Sequence, residues 1–227
     1  MAGRMVEFAS NGGTDTGYLA TPASGKGPAV LVIQEWWGLV DHIKDVADRF
    51  AAEGFVALAP DLYHGEATSE PDEAGKLMMA INIDQAAKDL AGAATFLLAQ
   101  PEVSSSIAGA IGYCMGGQLA LYAAAVSPDK VGPVADYYGV HPSVSVDFGR
   151  VKGPLLGVFA EHDGWVSKQV VASLEGECRA RGIKTDFTIY PGTNHGFFND
   201  SRSSAYHAEA AADAWTRTLA FFRTNLA

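Results

Sequence analysis

Cys114 stands in the run Gly112-Tyr113-Cys114-Met115-Gly116-Gly117, a setting in which a thiol can serve as a nucleophile. The apolar stretch 107–111 before it reads as a buried strand, and 118–126 after it as a helix. A strand-to-helix turn this sharp holds its central residue in a strained conformation, and glycines on both sides let the backbone close around it. The sulfur then stands over the amino end of a helix. That position lowers a thiol's pKa and supplies backbone N–H groups for an oxyanion. Taken alone, the segment fits equally a glycine-rich turn around an inert, packed cysteine.

Two later segments hold the groups that would complete such a nucleophile. Residues 155–160 read as a strand running into Glu161-His162-Asp163-Gly164, which sets an acid at a strand's carboxyl end. Residues 185–190 read as another, followed by Pro191-Gly192-Thr193-Asn194-His195-Gly196, which sets a histidine in a loop. Nucleophile, acid, histidine is the chain order of α/β-hydrolases. Each member lies just past a strand, so one sheet edge can gather all three. Singly, Asp163 fits a turn former and His195 a surface loop; together, in this order, they point to a triad. Cys114 would attack an ester-type carbonyl as the thiolate, and Asp163 would orient the imidazole. His195 would hold the thiol proton, pass it to the leaving alcohol and then activate water. The N–H of Met115, next after the nucleophile, would donate to the oxyanion.

Such positions need a sheet to carry them, and the chain alternates strand and helix. A β element spans roughly 6–20, broken by Ser10-Asn11-Gly12-Gly13. Strands are expected at 29–33, 55–59 and 134–138, besides those already given. Helices are expected at 43–53, from near Asp72, at 84–100, at 167–181 and at 203–225. Continuous Val/Ile/Leu runs between helices predict an α/β fold, with a mostly parallel twisted sheet covered by helices on both faces. A single domain over 1–227 is expected.

Composition limits the partners. Apolar residues make up 48% of the chain, yet no run approaches the length of a membrane span. The start, Met1-Ala2-Gly3-Arg4-Met5, has no signal-peptide core. Only two cysteines occur, Cys114 and Cys178, which argues against a disulfide framework and for a reducing cytoplasm. With 26 acidic against 16 basic residues, net −10, neither nucleic acid nor an anionic membrane is an expected partner. His162 beside Asp163 has no metal-ligand spacing, so no metal and no cofactor are expected. A small-molecule substrate and a monomer or weak homodimer complete the expectation.

Several segments together carry a resemblance. They are Gln34-Glu35-Trp36-Trp37-Gly38, Ala59-Pro60-Asp61-Leu62-Tyr63, the Cys114 turn, Tyr137-Tyr138-Gly139, Asp163 with Val166, and His195-Gly196-Phe197. In type and order the chain resembles the dienelactone hydrolases, carboxymethylenebutenolidase-like cysteine hydrolases of the α/β-hydrolase fold. The resemblance implies that fold as a three-layer sandwich. It also implies a Cys-His-Asp triad working through an acyl-enzyme on small esters or lactones, with the Trp36 N–H as second oxyanion donor. Glu35, which from the residues alone reads as a turn or capping group, gains a catalytic part. A carboxylate in a poorly solvated cleft has a raised pKa, so it can share a proton with the thiol and keep it quiet until substrate arrives. Trp37, Tyr138, Phe197 and Asn199 are expected to bind substrate.

The chain departs from the family archetype where substrate charge is read. The archetype holds a carboxylate with two arginines. Here the first region reads Ser69-Glu70-Pro71-Asp72-Glu73-Ala74-Gly75-Lys76, and the second position is Asn199. Uncharged esters or lactones are therefore the expected preference, with Lys76 and Arg202 the side chains able to reverse it. Two other readings fit parts of the pattern. One is a non-catalytic small-ligand-binding protein on a hydrolase scaffold, against which the intact triad weighs. The other is a Cys-His-acid amidase or peptidase-like enzyme, against which the residue order weighs.

Overall fold

A computed structural model of the chain describes residues 3–226. β1 (Arg4–Ser10) and β2 (Gly13–Ala20) form a hairpin closed by Asn11 and Gly12, at φ of 48° and 78°. Positive φ at both turn residues matches the twist of the flanking strands, which is why Asn-Gly closes this turn. β3 (Gly27–Ile33), α1 (Asp41–Ala52) and β4 (Val56–Pro60) follow, then α2 (Pro71–Ala80) and α3 (Ile83–Leu98). The second half holds β5 (Val103–Tyr113), α4 (Met115–Val126), β6 (Val131–Tyr137), β7 (Leu155–His162), α5 (Lys168–Ala180), β8 (Thr185–Asn194) and α6 (Ala208–Asn225).

The described residues build one eight-stranded sheet in the order β1-β2-β4-β3-β5-β6-β7-β8. β2 runs antiparallel to β1 and β4, and every pairing from β4 across to β8 is parallel. Ala29 through Ile33 and Val56 through Ala59 are all 0% exposed, as expected of strands covered on both faces. On one face α1 meets α6, where Phe50 stands edge-on to Trp215 at 4.6 Å and to Phe222 at 6.0 Å. α3 and α4 pack side by side on the other, and α5 covers β8. Among the described residues no helix is long and apolar enough to cross a membrane.

Three boundaries differ from the pattern expected of the sequence. β5 starts at Val103, because its exposed first half, Ser104-Ser105-Ser106, carries no apolar signal. β8 runs through Pro191-Gly192 to Asn194, on an edge where proline loses no ladder bond, and it slips register against β7 between Ala160 and His162. The last helix starts at Ala208 instead of 203, capped by the His207 ring, which accepts from the Ala210 N–H at 3.3 Å. Residues 201–207 are turns lying against the carboxyl edge of the sheet. The parallel strands β3, β5, β6, β7 and β8 all end on that edge, and the chemistry-bearing residues lie there.

Candidate active site

Cys114 occupies φ 53°, ψ −121°, a region that non-glycine residues rarely enter. Neighbours over-determine this backbone. The Cys114 N–H donates to the Tyr137 carbonyl at 3.0 Å, and its own carbonyl accepts from Gly117 at 3.0 Å and Val140 at 3.1 Å. The glycines act by leaving room. A Cβ on Gly112 would lie 1.9 Å from the Gly116 carbonyl oxygen, and one on Gly116 would lie 2.4 Å from the carbonyls of Ile33 and Gln34. The strain therefore sits on the cysteine itself. Cys114 is also the N-cap residue of α4, yet its side chain makes no capping bond. A position that serine or aspartate would fill for stability holds a thiol left free to react.

Asp136, which the sequence reading missed, lies beneath this turn. Its buried carboxylate accepts from the Gly139 N–H at 2.8 Å, and a Cβ on Gly117 or Gly139 would fall within 2.3 Å of the same oxygen. Burial pushes its pKa up to about 7, with the Gly139 bond acting against that. Nothing but its place near the end of the buried strand β6 marks it in the sequence.

Asp163 and His195 meet at the ends of β7 and β8. His195 Nδ1 lies 2.8 Å from Asp163 Oδ2, while Asp163 Oδ1 accepts from the N–H groups of Trp165 at 2.8 Å and Val166 at 2.9 Å. The carboxylate is thus held on both oxygens, and its partner nitrogen on the ring is Nδ1. Nε2 is buried and makes no hydrogen bond among the described residues. Burial alone would lower the His195 pKa, but the Asp163 hydrogen bond and then the adjacent Cys114 sulfur raise it to about 10. Burial likewise works to raise Asp163, and the bond and charge of His195 override it, so that its pKa falls below the usual carboxylate value.

Glu35 is buried just past β3. Burial lifts its pKa to about 7, against the opposing pull of Asn199, His195 and Arg202. Asn199 Nδ2 donates to Glu35 Oε2 at 2.6 Å, and Asn199 Oδ1 is fixed by the N–H (3.1 Å) and hydroxyl (2.6 Å) of Ser201. Asn199 consequently faces the glutamate and not the cavity. The turn's backbone bonds use the N–H groups of Cys114 and Gly117 and leave those of Met115 and Trp36 uncommitted among the described residues.

A cavity of about 600 Å³ opens over these groups, with Cys114, Glu35 and His195 in its wall. Trp36 and Trp37 line it, whereas Tyr138 and Phe197 do not. Both are 0% exposed and pack in the core, with the Tyr138 ring 4.9 Å from that of His195 and 5.7 Å from that of Phe197. Tyr138, whose φ is positive (44°), backs the histidine, and Phe197 packs behind Tyr138. Sequence reasoning also missed the far wall, where α2 contributes Gly75, Met78 and Met79. Val140, His141, Trp165 and Arg202 also line the cavity, the last of them a residue the sequence marks as able to reach it. The two methionines lie on a short helix whose only sequence signal was its start. Lys76 pairs with Glu73 at 2.6 Å and does not line the cavity. Arg202 does, with its guanidinium 4.0 Å above the Trp37 ring and no salt bridge among the described residues.

Comparison with known proteins agrees with this architecture. The sequence pattern of the dienelactone hydrolase family matches residues 16–226. Protein usf of Aquifex pyrophilus is 38% identical over 230 residues, covering 99% of both chains. A protein of Aquifex aeolicus described as a candidate carboxymethylenebutenolidase is 35% identical over 230 residues, again 99% of each. The crystal structure of a candidate dienelactone hydrolase from Klebsiella pneumoniae superposes with a TM-score of 0.85 and 28% identity, across 98% of this chain and 99% of that one.

Proposed function

The chain belongs to the dienelactone hydrolase family of hydrolases, and from that premise we propose that it cleaves small esters or lactones by cysteine catalysis, with Cys114, His195 and Asp163 as the triad. One observation carries the reading. His195 is tied to Asp163 through Nδ1 and keeps a buried, unbonded Nε2 in the wall that it shares with Cys114. An imidazole so oriented can take the thiol proton, and the Asp163 carboxylate stabilises the cation that results.

The thiolate adds to the carbonyl carbon, and the oxyanion lies against the N–H groups of Met115 and Trp36. Collapse of the tetrahedral adduct breaks the bond to the alcohol oxygen, which takes the proton from His195. The acyl group stays on sulfur. Water, deprotonated by the same Nε2, then releases the acid and restores the thiol. Glu35, with its pKa near neutrality, can hold or release a proton beside the sulfur within the working pH range. An apolar wall of tryptophan and methionine favours a small organic substrate.

Arg202 bears on which substrate. A cation in the wall with no carboxylate partner suits an anionic group on the substrate, so carboxylate-bearing lactones return to consideration although both archetypal arginines are missing. The test is turnover of chromogenic short-chain esters and lactones, with mass spectrometry of the quenched enzyme. An acyl adduct on the Cys114 peptide is expected. Turnover that continues unchanged in Cys114→Ala would refute the assignment.

A further inference from the structure

Away from the cleft, three side chains from distant parts of the chain converge: Asp15 on β2, His64 in the turn after β4, and Asp89 on α3. One donor atom from each lies within 4.8 Å of the other two. Asp15 is 4% and Asp89 1% exposed, so two carboxylates are buried side by side. Each is anchored through Oδ1. Thr16 N–H donates to Asp15 at 2.7 Å, while Ser10 hydroxyl and Gln85 amide (2.7 Å) donate to Asp89. Oδ2 of both residues is buried and makes no hydrogen bond among the described residues. The His64 ring stands between them, Nδ1 at 3.4 Å from Asp15 Oδ1 and Nε2 at 3.5 Å from Asp89 Oδ2, both longer than the short bonds of a charged pair, so either nitrogen is available to an ion. Two buried carboxylates held ready by their neighbours, with one oxygen each left over, call for a cation.

We propose that Asp15, His64 and Asp89 bind one divalent first-row transition ion, of which Zn²⁺ is the type, at a site separate from the catalytic cleft. Two carboxylates and an imidazole are a donor set that suits such an ion, and two ligand charges balance its own. Donors bound at about 2.0–2.2 Å stand roughly 3–4 Å apart, so the observed spacing needs only a small closure. Ser10, Thr16 and Gln85 supply the outer hydrogen bonds that orient metal-binding carboxylates. A cavity of about 310 Å³ lined by His64, Gln85 and Asp89 gives an entry path and room for water ligands. The bound ion joins the amino-terminal hairpin, the β4–α2 turn and α3. His64 follows Tyr63, whose hydroxyl donates to Met115 Sδ at 3.3 Å, beside the nucleophile.

The test uses the full chain, stripped with a chelator and alkylated at Cys114 so that the catalytic thiol cannot compete, then titrated with Zn²⁺ or Mn²⁺ by calorimetry. One ion per chain is expected, with a rise in Tm at saturation. Affinity should fall at least roughly tenfold in His64→Ala and in Asp89→Asn. His64 lies on an exposed turn, so its loss leaves folding intact even if Asp89→Asn does not fold. No uptake of either ion at millimolar concentration would overturn the proposal. So would unchanged affinity in His64→Ala, or an imidazolium at His64 that holds both carboxylates without any ion bound.

Discussion

Replacing Glu35 with glutamine removes one proton equilibrium and little else. The side chains have the same shape, and a glutamine oxygen can still accept from Asn199 Nδ2, whose orientation Ser201 fixes. The folded pKa of about 7, against an ordinary 4.5, means that the folded chain holds this proton where the unfolded chain has released it. The contribution of Glu35 is therefore most favourable in acid and is lost as pH rises through 7. At 1.36 kcal/mol per pH unit, the full difference is about 3 kcal/mol at pH 8 for this enclosed group. Glu35→Gln should match the wild type in urea unfolding near pH 4 and exceed it by about that amount at pH 8, or by roughly 6–10 °C in Tm. Its esterase activity should fall, and the limb of the wild-type pH profile near 7 should vanish with it. A stability difference that does not change with pH would refute the reasoning, as would a variant less stable than wild type at pH 8.

Cys114→Ala should abolish turnover while the turn keeps its shape, and a thiol alkylating agent should inactivate the wild type with one equivalent. Cys178, buried and with its pKa pushed up to about 11 by desolvation, should react slowly, as peptide mapping would reveal. Asp163→Asn should lower kcat by about 10⁴ and drop the His195 pKa from about 10 toward its ordinary value, read by NMR of the ring protons. Because Asp163 is lowered and His195 raised, their mutual stabilisation should hold between the two folded pKa values. It should fade as acid protonates Asp163 and as base strips His195; a flat stability profile into acid would count against the pair. Arg202→Ala should cut kcat/KM for a carboxylate-bearing lactone about 10–100-fold and leave its uncharged analogue nearly unchanged. Equal effects on both substrates would remove Arg202 from recognition.

Much of this arrangement could be read from residue order. The continuous apolar runs marked β3 and β4 because both faces of those strands are covered. Cys114, Asp163 and His195 each follow a strand, and parallel strands end together, so sequence position translated directly into place on the sheet. Side-chain direction did not translate. Tyr138 and Phe197 flank the motifs but are buried in the core, and the positive φ of Tyr138 has no signature in the sequence. Arg202 reaches the cavity because the chain stays in turns up to His207, where periodicity suggested a helix from 203. Met78 and Met79 belong to a helix with a weak amphipathic pattern. Asp15, His64 and Asp89 are separated by 49 and 25 residues, a spacing with no local signature.

The order of the strands in the sheet sets a timetable for a growing polypeptide. Every contact described around the Cys114 backbone, from the Ile33 carbonyl to the Val140 N–H, is made by the first 140 residues. The proposed base, His195, follows the edge strand β8, the last of the described strands to be made. A nascent chain can thus shape the nucleophile's mount while the imidazole that would draw off its proton is still unsynthesised. On the proposed triad, reactivity would follow only once β8 has been made, and a fragment stopped before β8 would display a cysteine in position without the means to activate it.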